Sequence, residues 1–203
     1  MIFTILISLI SAYLIGSIPT GYWFAKYCFG IDVTKHGSGN IGATNVARVL
    51  GNKKCFVLIF LLDAGKAALT LWAANVCVGA NLASNWQQPF LCVLAALLVI
   101  GNGFSIFLKL RGGKSVATLV GIVVVLYPWW LVAILLTAWG AIAAVTRRVF
   151  IASIGASVFA TIVYWCCALQ HGVLLGFFLT LATVWLVWRH ASNIKQYFAQ
   201  RER

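Results

Sequence analysis

The chain has 203 residues, 63% of them hydrophobic and 9% charged, with a mean hydropathy of +0.99, which excludes a soluble globular domain and reads as an integral membrane protein. Three acidic residues, Asp32, Asp63 and Glu202, stand against fifteen Lys and Arg for a formal net charge of +12, so the expected partners are anionic: membrane lipid headgroups or phosphorylated metabolites. No nucleic acid is expected, because the basic residues sit in short connections between apolar runs rather than on a basic soluble face.

The first apolar run, 2–27, is long enough to span a bilayer and carries no small-residue cleavage site, so it reads as a retained helix rather than a signal peptide. Gly16-Ser17-Ile18-Pro19-Thr20-Gly21 interrupts it, and a kink is expected near Pro19. After a polar loop, apolar runs follow at 55–80 and 90–107. The run that starts at 116 continues past 139, too long for one span, and Pro128 divides it at Tyr127-Pro128-Trp129-Trp130. Two more runs cover 149–169 and 173–188. The expected fold is an all-α integral membrane protein of seven transmembrane helices. It forms a single membrane domain over 1–203, with motif loops at 28–54, 104–115 and 189–203.

Charge in the connections sets the orientation. Lys35, Arg48, Lys53 and Lys54 flank the first loop, Lys109, Arg111 and Lys114 the third, Arg147 and Arg148 the fifth, and Arg189, Lys195, Arg201 and Arg203 lie in the tail. The intervening connections, 81–88, 127–130 and 170–172, carry no Lys or Arg. With seven spans this alternation puts the N-terminus outside and the C-terminus in the cytoplasm. Tyr127, Trp129 and Trp130 then mark the outer interface, and His171 faces outward with no role. The six cysteines show no C-x-x-C spacing and read as small packing residues, with no metal site.

Against this background the stretch His36-Gly37-Ser38-Gly39-Asn40-Ile41-Gly42-Ala43-Thr44-Asn45-Val46-Ala47-Arg48 is unusually polar. Gly37, Gly39 and Gly42 can take positive φ and turn successive backbone N–H groups the same way, while Ser38, Asn40, Thr44 and Asn45 add uncharged donors. Residues 43–50 are expected to form a short helix whose N-terminal amides point back into the loop, with Lys35 and Arg48 supplying charge. Such a loop suits an oxyanion; the alternative is a flexible linker. Its Gly37-x-Gly39-x-x-Gly42 spacing matches a dinucleotide fingerprint, but the strand and βαβ unit that fingerprint needs are missing.

A second polar concentration ends in Gly112-Gly113-Lys114-Ser115. It imitates a phosphate-binding loop, yet Leu108 occupies the position of that pattern's first glycine, so ATP hydrolysis is not expected. Two glycines at a helix start would expose amides, with Lys114 and Ser115 beside them to hold a phosphate. Alternatively, the glycines merely start a helix and Lys114 snorkels. The third concentration holds His190 and Asn193, which share one face if the last helix continues. Asp63 and Lys66 form an i, i+3 pair inside the second span. It is either functional or a mutually neutralising pair that positions helices.

Together these segments resemble the bacterial acyl-phosphate:glycerol-3-phosphate acyltransferase family, called PlsY. The resemblance rests on 16–21, on 37–46 with Arg48, on Gly112-Gly113-Lys114 with Val116-Ala117-Thr118, and on His190-x-x-Asn193-Ile194-Lys195. It covers almost the whole chain. It implies a multi-pass enzyme of the bacterial cytoplasmic (inner) membrane that moves a fatty acyl group from acyl-phosphate to the 1-hydroxyl of glycerol 3-phosphate. The products are lysophosphatidic acid and phosphate, and no metal, CoA or other cofactor is needed. It further implies that Ser38, Arg48, Lys114, His190 and Asn193 gather around the phosphates, assisted by Gly37, Gly39, Asn40, Thr44, Asn45, Gly112, Gly113 and Ser115. An enzyme that supplies the donor is a candidate partner. The chain departs from the family pattern at Asn102, where histidine is usual, at Ser105, where proline is common, at Ser115, where glycine is common, and at Ala191 and Gln196, where arginines are frequent.

The chemistry agrees with these residue types. An acyl-phosphate has a good leaving group, so holding two anions together and stabilising the developing oxyanion carries most of the barrier. The chain offers cations and N–H donors for that task and no paired carboxylates. Two alternatives come from other classes: a small phosphate-ester transporter, which would want polar residues at the bilayer midplane, and an inactive lipid-binding paralogue.

Overall fold

A computed structural model describes residues 1–167 and 172–200, without the side chain of Ala80. His171 and the tail residues Arg201 and Arg203 lie outside the described residues. The chain divides into two compact units, Met1–Val125 and Leu126–Arg203, each described by itself.

In the first unit, α1 (Ile2–Ser17) and α2 (Thr20–Phe29) are one apolar run broken at Ile18-Pro19 and bent by 48°. Proline lacks the N–H that would continue a helix and drives the residue before it out of the helical region; Ile18 accordingly takes φ −55° and ψ 113°. A short helix α3 (Ala43–Val49) follows the first polar loop, as expected. The long helix α4 (Lys53–Cys77) begins at Asn52, whose side chain accepts the Lys54 N–H at 2.9 Å. It carries the Asp63–Lys66 pair, 2.7 Å apart.

Helix α5 (Ser84–Gly103) starts six residues before the apolar run at 90, because its opening turns are polar; Pro89 lies inside it at the sixth residue, where it removes one i→i−4 hydrogen bond. It packs along α1 with almost no side chain between the backbones. A Cβ on Gly16 would stand 2.5 Å from the Leu98 carbonyl oxygen, and one on Gly101 2.9 Å from the Ser17 nitrogen, the close approach that small residues permit in membrane helix pairs. The Tyr13 hydroxyl donates to the Phe104 carbonyl at 3.0 Å and the Ser105 hydroxyl to the Ser17 carbonyl at 2.5 Å, tying the seam's end. The unit closes with α6 (Val116–Leu126).

The second unit comprises α7 (Trp129–Thr146), α8 (Val149–Cys167), α9 (Val173–Arg189) and α10 (Ala191–Ala199). Pro128 is the N-cap of α7, as its position in the run predicts. Hydroxyl bridges join α8 to α9: Ser157 to Thr183 at 2.6 Å and Thr161 to Thr183 at 2.9 Å. Tyr127, expected at the outer interface, is instead buried. Its hydroxyl donates to the Leu175 carbonyl at 2.7 Å and its ring meets Tyr164 edge-on, because a phenol can pack its body and satisfy its oxygen at once. Trp129 is 80% exposed.

Among the described residues four helices, α4, α5, α7 and α8, are long and apolar enough to cross a membrane, and up to six spans result if each bent pair, α1 with α2 and α9 with α10, counts as one. The eleven residues of α6 reach only roughly 17 Å, against a hydrocarbon core of about 30 Å. This length accounts for the difference from the expected seven. Only Cys55 and Cys92 have the expected packing role, since Cys28, Cys77, Cys166 and Cys167 are exposed.

Candidate active site

The first polar loop is built around Asn45, which is 2% exposed on α3. Its Nδ2 group donates to the carbonyls of Val33 at 3.1 Å, His36 at 3.1 Å and Asn40 at 2.8 Å, and its Oδ1 accepts the Ser38 N–H at 2.9 Å. The chain can pass so close because Gly37 has φ +61° and a Cβ there would collide with Asn45 Oδ1. Gly39 is also left-handed at +69°, whereas Gly42 is extended, φ −78°, and caps α3.

The amides expected to form an anion cradle are engaged within the loop. The amides of Ser38, Gly39 and Gly42 donate within the loop, to Asn45 Oδ1, the His36 carbonyl and Asn40 Oδ1 respectively. Asn40 and Asn45, expected as substrate ligands, hydrogen-bond within the loop and hold it together. The physical reason is that a compact polar turn must satisfy its own backbone groups before it can serve a ligand. The side chains displayed outward are those of Ser38 and Arg48, both exposed, with Thr44 half-buried at the start of α3.

At the loop's entry Asp32 caps a short 3₁₀ turn, Val33–Lys35, accepting from the Thr34 hydroxyl and amide. The hydroxyl's hydrogen bond first, with the amide's and the nearby Lys35 and Lys26 charges, holds the Asp32 carboxyl below the ordinary carboxylate range against the opposing effect of desolvation.

The second polar loop, 104–115, is built differently. Lys109, Leu110 and Ser115 are left-handed at φ +53°, +61° and +61°, unusual for residues with a side chain. Gly112 and Gly113 do not take positive φ; Gly112 is required by steric closeness. A Cβ on Gly112 would fall on the Asn102 carbonyl oxygen and stand 2.5 Å from that of Gly103. The Gly113 N–H donates to the Asn102 carbonyl at 2.9 Å, so this amide folds the loop onto α5. Ser115 is 3% exposed and its hydroxyl donates to the Val99 carbonyl at 3.1 Å. Lys114 is half-buried between these two anchors.

The two loops are neighbours. A Cβ on Gly113 would lie 3.8 Å from Ile41 Cγ1, and the Phe107 ring of the second loop packs at 5.4 Å against Trp23 of α2. The first unit therefore brings the segments carrying Ser38, Arg48 and Lys114 to the same region, beside the cations Lys35, Lys109 and Arg111.

In the second unit the last helix does not continue straight. It bends by 47° between α9 and α10, and His190 is the corner, closing α9 through its N–H to the Leu186 and Val187 carbonyls and opening α10 by accepting from Ile194 N–H. His190 is 3% exposed with Nδ1 2.8 Å from the Leu186 carbonyl. A carbonyl only accepts, so Nδ1 carries a proton. Asn193 follows in the first turn of α10, half-buried. Arg189 lies over the Trp188 and Trp185 rings at 5.6 and 6.0 Å.

The part played by Asn45 had a signal in the sequence. A lone carboxamide seven residues after Ser38, in the opening turn of a short helix, is the one kind of side chain that answers both C=O and N–H groups of a tight loop.

The family described as glycerol-3-phosphate acyltransferase matches residues 6–200. A glycerol-3-phosphate acyltransferase of Synechococcus sp. (strain JA-2-3B'a(2-13)) is 40% identical over 200 residues, 98% of this chain and 94% of the relative. One of Thermosynechococcus vestitus is 37% identical over 203 residues, 97% and 92% of the two chains. A crystal structure of PlsY, an integral membrane glycerol 3-phosphate acyltransferase, in its glycerol 3-phosphate form superposes with a TM-score of 0.85 at 32% identity, covering 97% of this chain and 93% of that one. The lysophosphatidic acid form of the same protein gives 0.82. With matching sequence along nearly its full length and the same arrangement of helices, the chain belongs to the glycerol-3-phosphate acyltransferase family.

Proposed function

We propose that the chain transfers a fatty acyl group from acyl-phosphate to the 1-hydroxyl of glycerol 3-phosphate. The hydroxyl oxygen attacks the acyl carbonyl carbon, the bond from that carbon to the phosphate-bearing oxygen breaks, and the hydroxyl proton leaves with the phosphate; lysophosphatidic acid is the other product. The observation that carries this reading is the likeness, over 97% of the chain, to a protein solved in both a glycerol 3-phosphate and a lysophosphatidic acid form. Arg48 and Lys114 are assigned to the phosphates and the developing oxyanion, Ser38 to hydrogen bonding of the reacting phosphate, and His190, through Nε2, with Asn193 to orienting the acceptor. Gly37, Gly39, Asn40, Thr44, Asn45, Gly112, Gly113 and Ser115 shape the two loops that present these groups.

The deciding experiment incubates purified protein in detergent with acyl-phosphate and glycerol 3-phosphate and measures lysophosphatidic acid. No product would remove the reading in favour of a binding or transport role. Activity is expected to persist in chelator without CoA, and a loss that a divalent ion restores would mean a metal is needed. Arg48→Ala should lower kcat by about 100-fold with a smaller change in KM, as for loss of a charge that acts in the transition state.

Residues 1–203 are taken as one catalytic membrane domain of the bacterial cytoplasmic membrane, with seven spans, the N-terminus outside and the polar loops cytoplasmic. Two exposed native cysteines report on this. In variants keeping one cysteine each, Cys77 should react with an impermeant thiol reagent from outside and Cys28 only after permeabilisation. The opposite pattern inverts the topology.

A further inference from the structure

The reaction leaves one ionised pair inside a membrane-length helix unused, Asp63 and Lys66 of α4, whose side chains are each 11% exposed. Charges at such depth are retained for a reason. Lys66 does more than neutralise Asp63. Its Nζ donates to the Ile18 carbonyl at 2.7 Å and lies 3.4 Å from the Thr20 hydroxyl. Those two residues flank Pro19 at the α1–α2 break, where the end of α1 concentrates carbonyls without helical partners. An ammonium at a helix C-terminus also meets the favourable end of the helix dipole.

From this pinned break the path to the first polar loop is one residue long. Gly21 follows Thr20, and a Cβ on it would collide with the carbonyl oxygen of Ile41 and stand 3.0 Å from Val46 Cγ2 and 3.2 Å from Ile59 Cγ2. Ile41 lies in the loop that Asn45 closes, and Val46 is on the helix that carries Arg48. The start of α2 is thus pressed, backbone to backbone, against the loop.

We propose that Lys66 is a positioning residue for acyl transfer, its ammonium fixing the α1–α2 break so that Gly21 seats the loop bearing Ser38 and Arg48, with Asp63 as its ion-pair partner. The link to catalysis rests on the acyl-transfer reading above; the link to the loop does not.

The test compares Asp63→Asn, which keeps the Lys66 donor, with D63N/K66M, which removes it and leaves no uncompensated charge. Two quantities are read in purified protein: hydrogen exchange of the loop amides at Ser38, Gly39 and Gly42, and the kinetics with acyl-phosphate and glycerol 3-phosphate. In D63N exchange should stay within about threefold of wild type, whereas D63N/K66M should open the loop at least about tenfold faster while its thermal midpoint stays near that of D63N. kcat/KM should fall about tenfold in the double variant only. Gly21→Ala, which keeps both charges, should quicken exchange of the same amides, so the route from break to loop is tested even if the double variant does not fold. Wild-type exchange in Gly21→Ala, wild-type behaviour of D63N/K66M, or equal loss in D63N and D63N/K66M, failure to fold included, would each overturn the proposal. If wild-type protein itself makes no lysophosphatidic acid, the acyl-transfer reading fails while the exchange comparison still decides this one.

Discussion

The two polar loops of the first unit solve one problem, a tight polar turn at the end of apolar helices, by opposite means. The loop between α2 and α3 puts glycine where the backbone is left-handed, at Gly37 and Gly39, and closes on a buried side chain, Asn45. The loop between α5 and α6 puts Lys109, Leu110 and Ser115 at left-handed positions and keeps Gly112 for a place where backbones nearly touch. Glycine in a sequence therefore marks two different needs, one of conformation and one of space. The second loop stores backbone strain of about 1 kcal/mol or more at each non-glycine left-handed residue, held there by its anchors.

Substitutions that remove the anchor of one loop or invade the other separate these two designs. The largest effect is expected from Asn45→Leu, which abandons the Ser38 N–H and three carbonyls, that of Val33 buried; unfolding should become easier by about 3 kcal/mol, read from denaturant or thermal melts, and activity should collapse with it. Next comes Gly112→Ala. Its Cβ meets two backbone oxygens, so the loop must move, and KM for glycerol 3-phosphate should rise clearly more than in Gly113→Ala, where the new atom meets only the Asn102 side-chain oxygen at 3.0 Å. Equal constants in the two variants would show that the second loop yields freely.

Ser115 gives a finer measurement. Ser115→Ala loses the bond to the Val99 carbonyl and keeps the strain, which should cost about 1 kcal/mol. Ser115→Gly loses the same bond but relieves the left-handed strain, so its thermal midpoint should stay near wild type. The smallest effect belongs to the entry of the first loop. Asp32 has a lowered pKa in the folded protein, so its contribution is present above the ordinary carboxylate pKa of about 3.9 and disappears as pH falls through the lower folded value. Thr34→Val should therefore reduce stability slightly at neutral pH and not at all in strong acid, as melts at both pH values would show.

Composition and apolar run length were enough to read the membrane class and the helix order, and Pro19 and Pro128 stand where the helices break. Proline acts on its own backbone, so its effect is written locally. The opening turns of α5 escaped that reading because they are polar, and Tyr127 because burial of a phenol depends on finding Leu175 forty-eight residues away. The residues of the candidate site were legible by type, but their division of labour was not. Whether Asn45 meets a ligand or its own loop is decided by carbonyls of Val33 and His36, and Ser115 by a carbonyl on the preceding helix. The bend at His190 was equally hidden, since the residues on either side of it are all compatible with an unbroken helix.

The seam between α1 and α5 has a consequence for how the protein is made. The carbonyl of Ser17 is satisfied by a hydroxyl 88 residues further along the chain, and that of Ile18 by an ammonium 48 residues further. At ribosomal speeds of about 5–20 residues per second, the broken end of the first helix waits roughly 4 to 18 seconds before Ser105 has been synthesised. During that interval its exposed carbonyls sit in or near lipid without their final donors. The nascent chain must meet that need with water, headgroups or the insertion machinery, and slowed translation between α1 and α5 would prolong the stage at which this enzyme is easiest to lose.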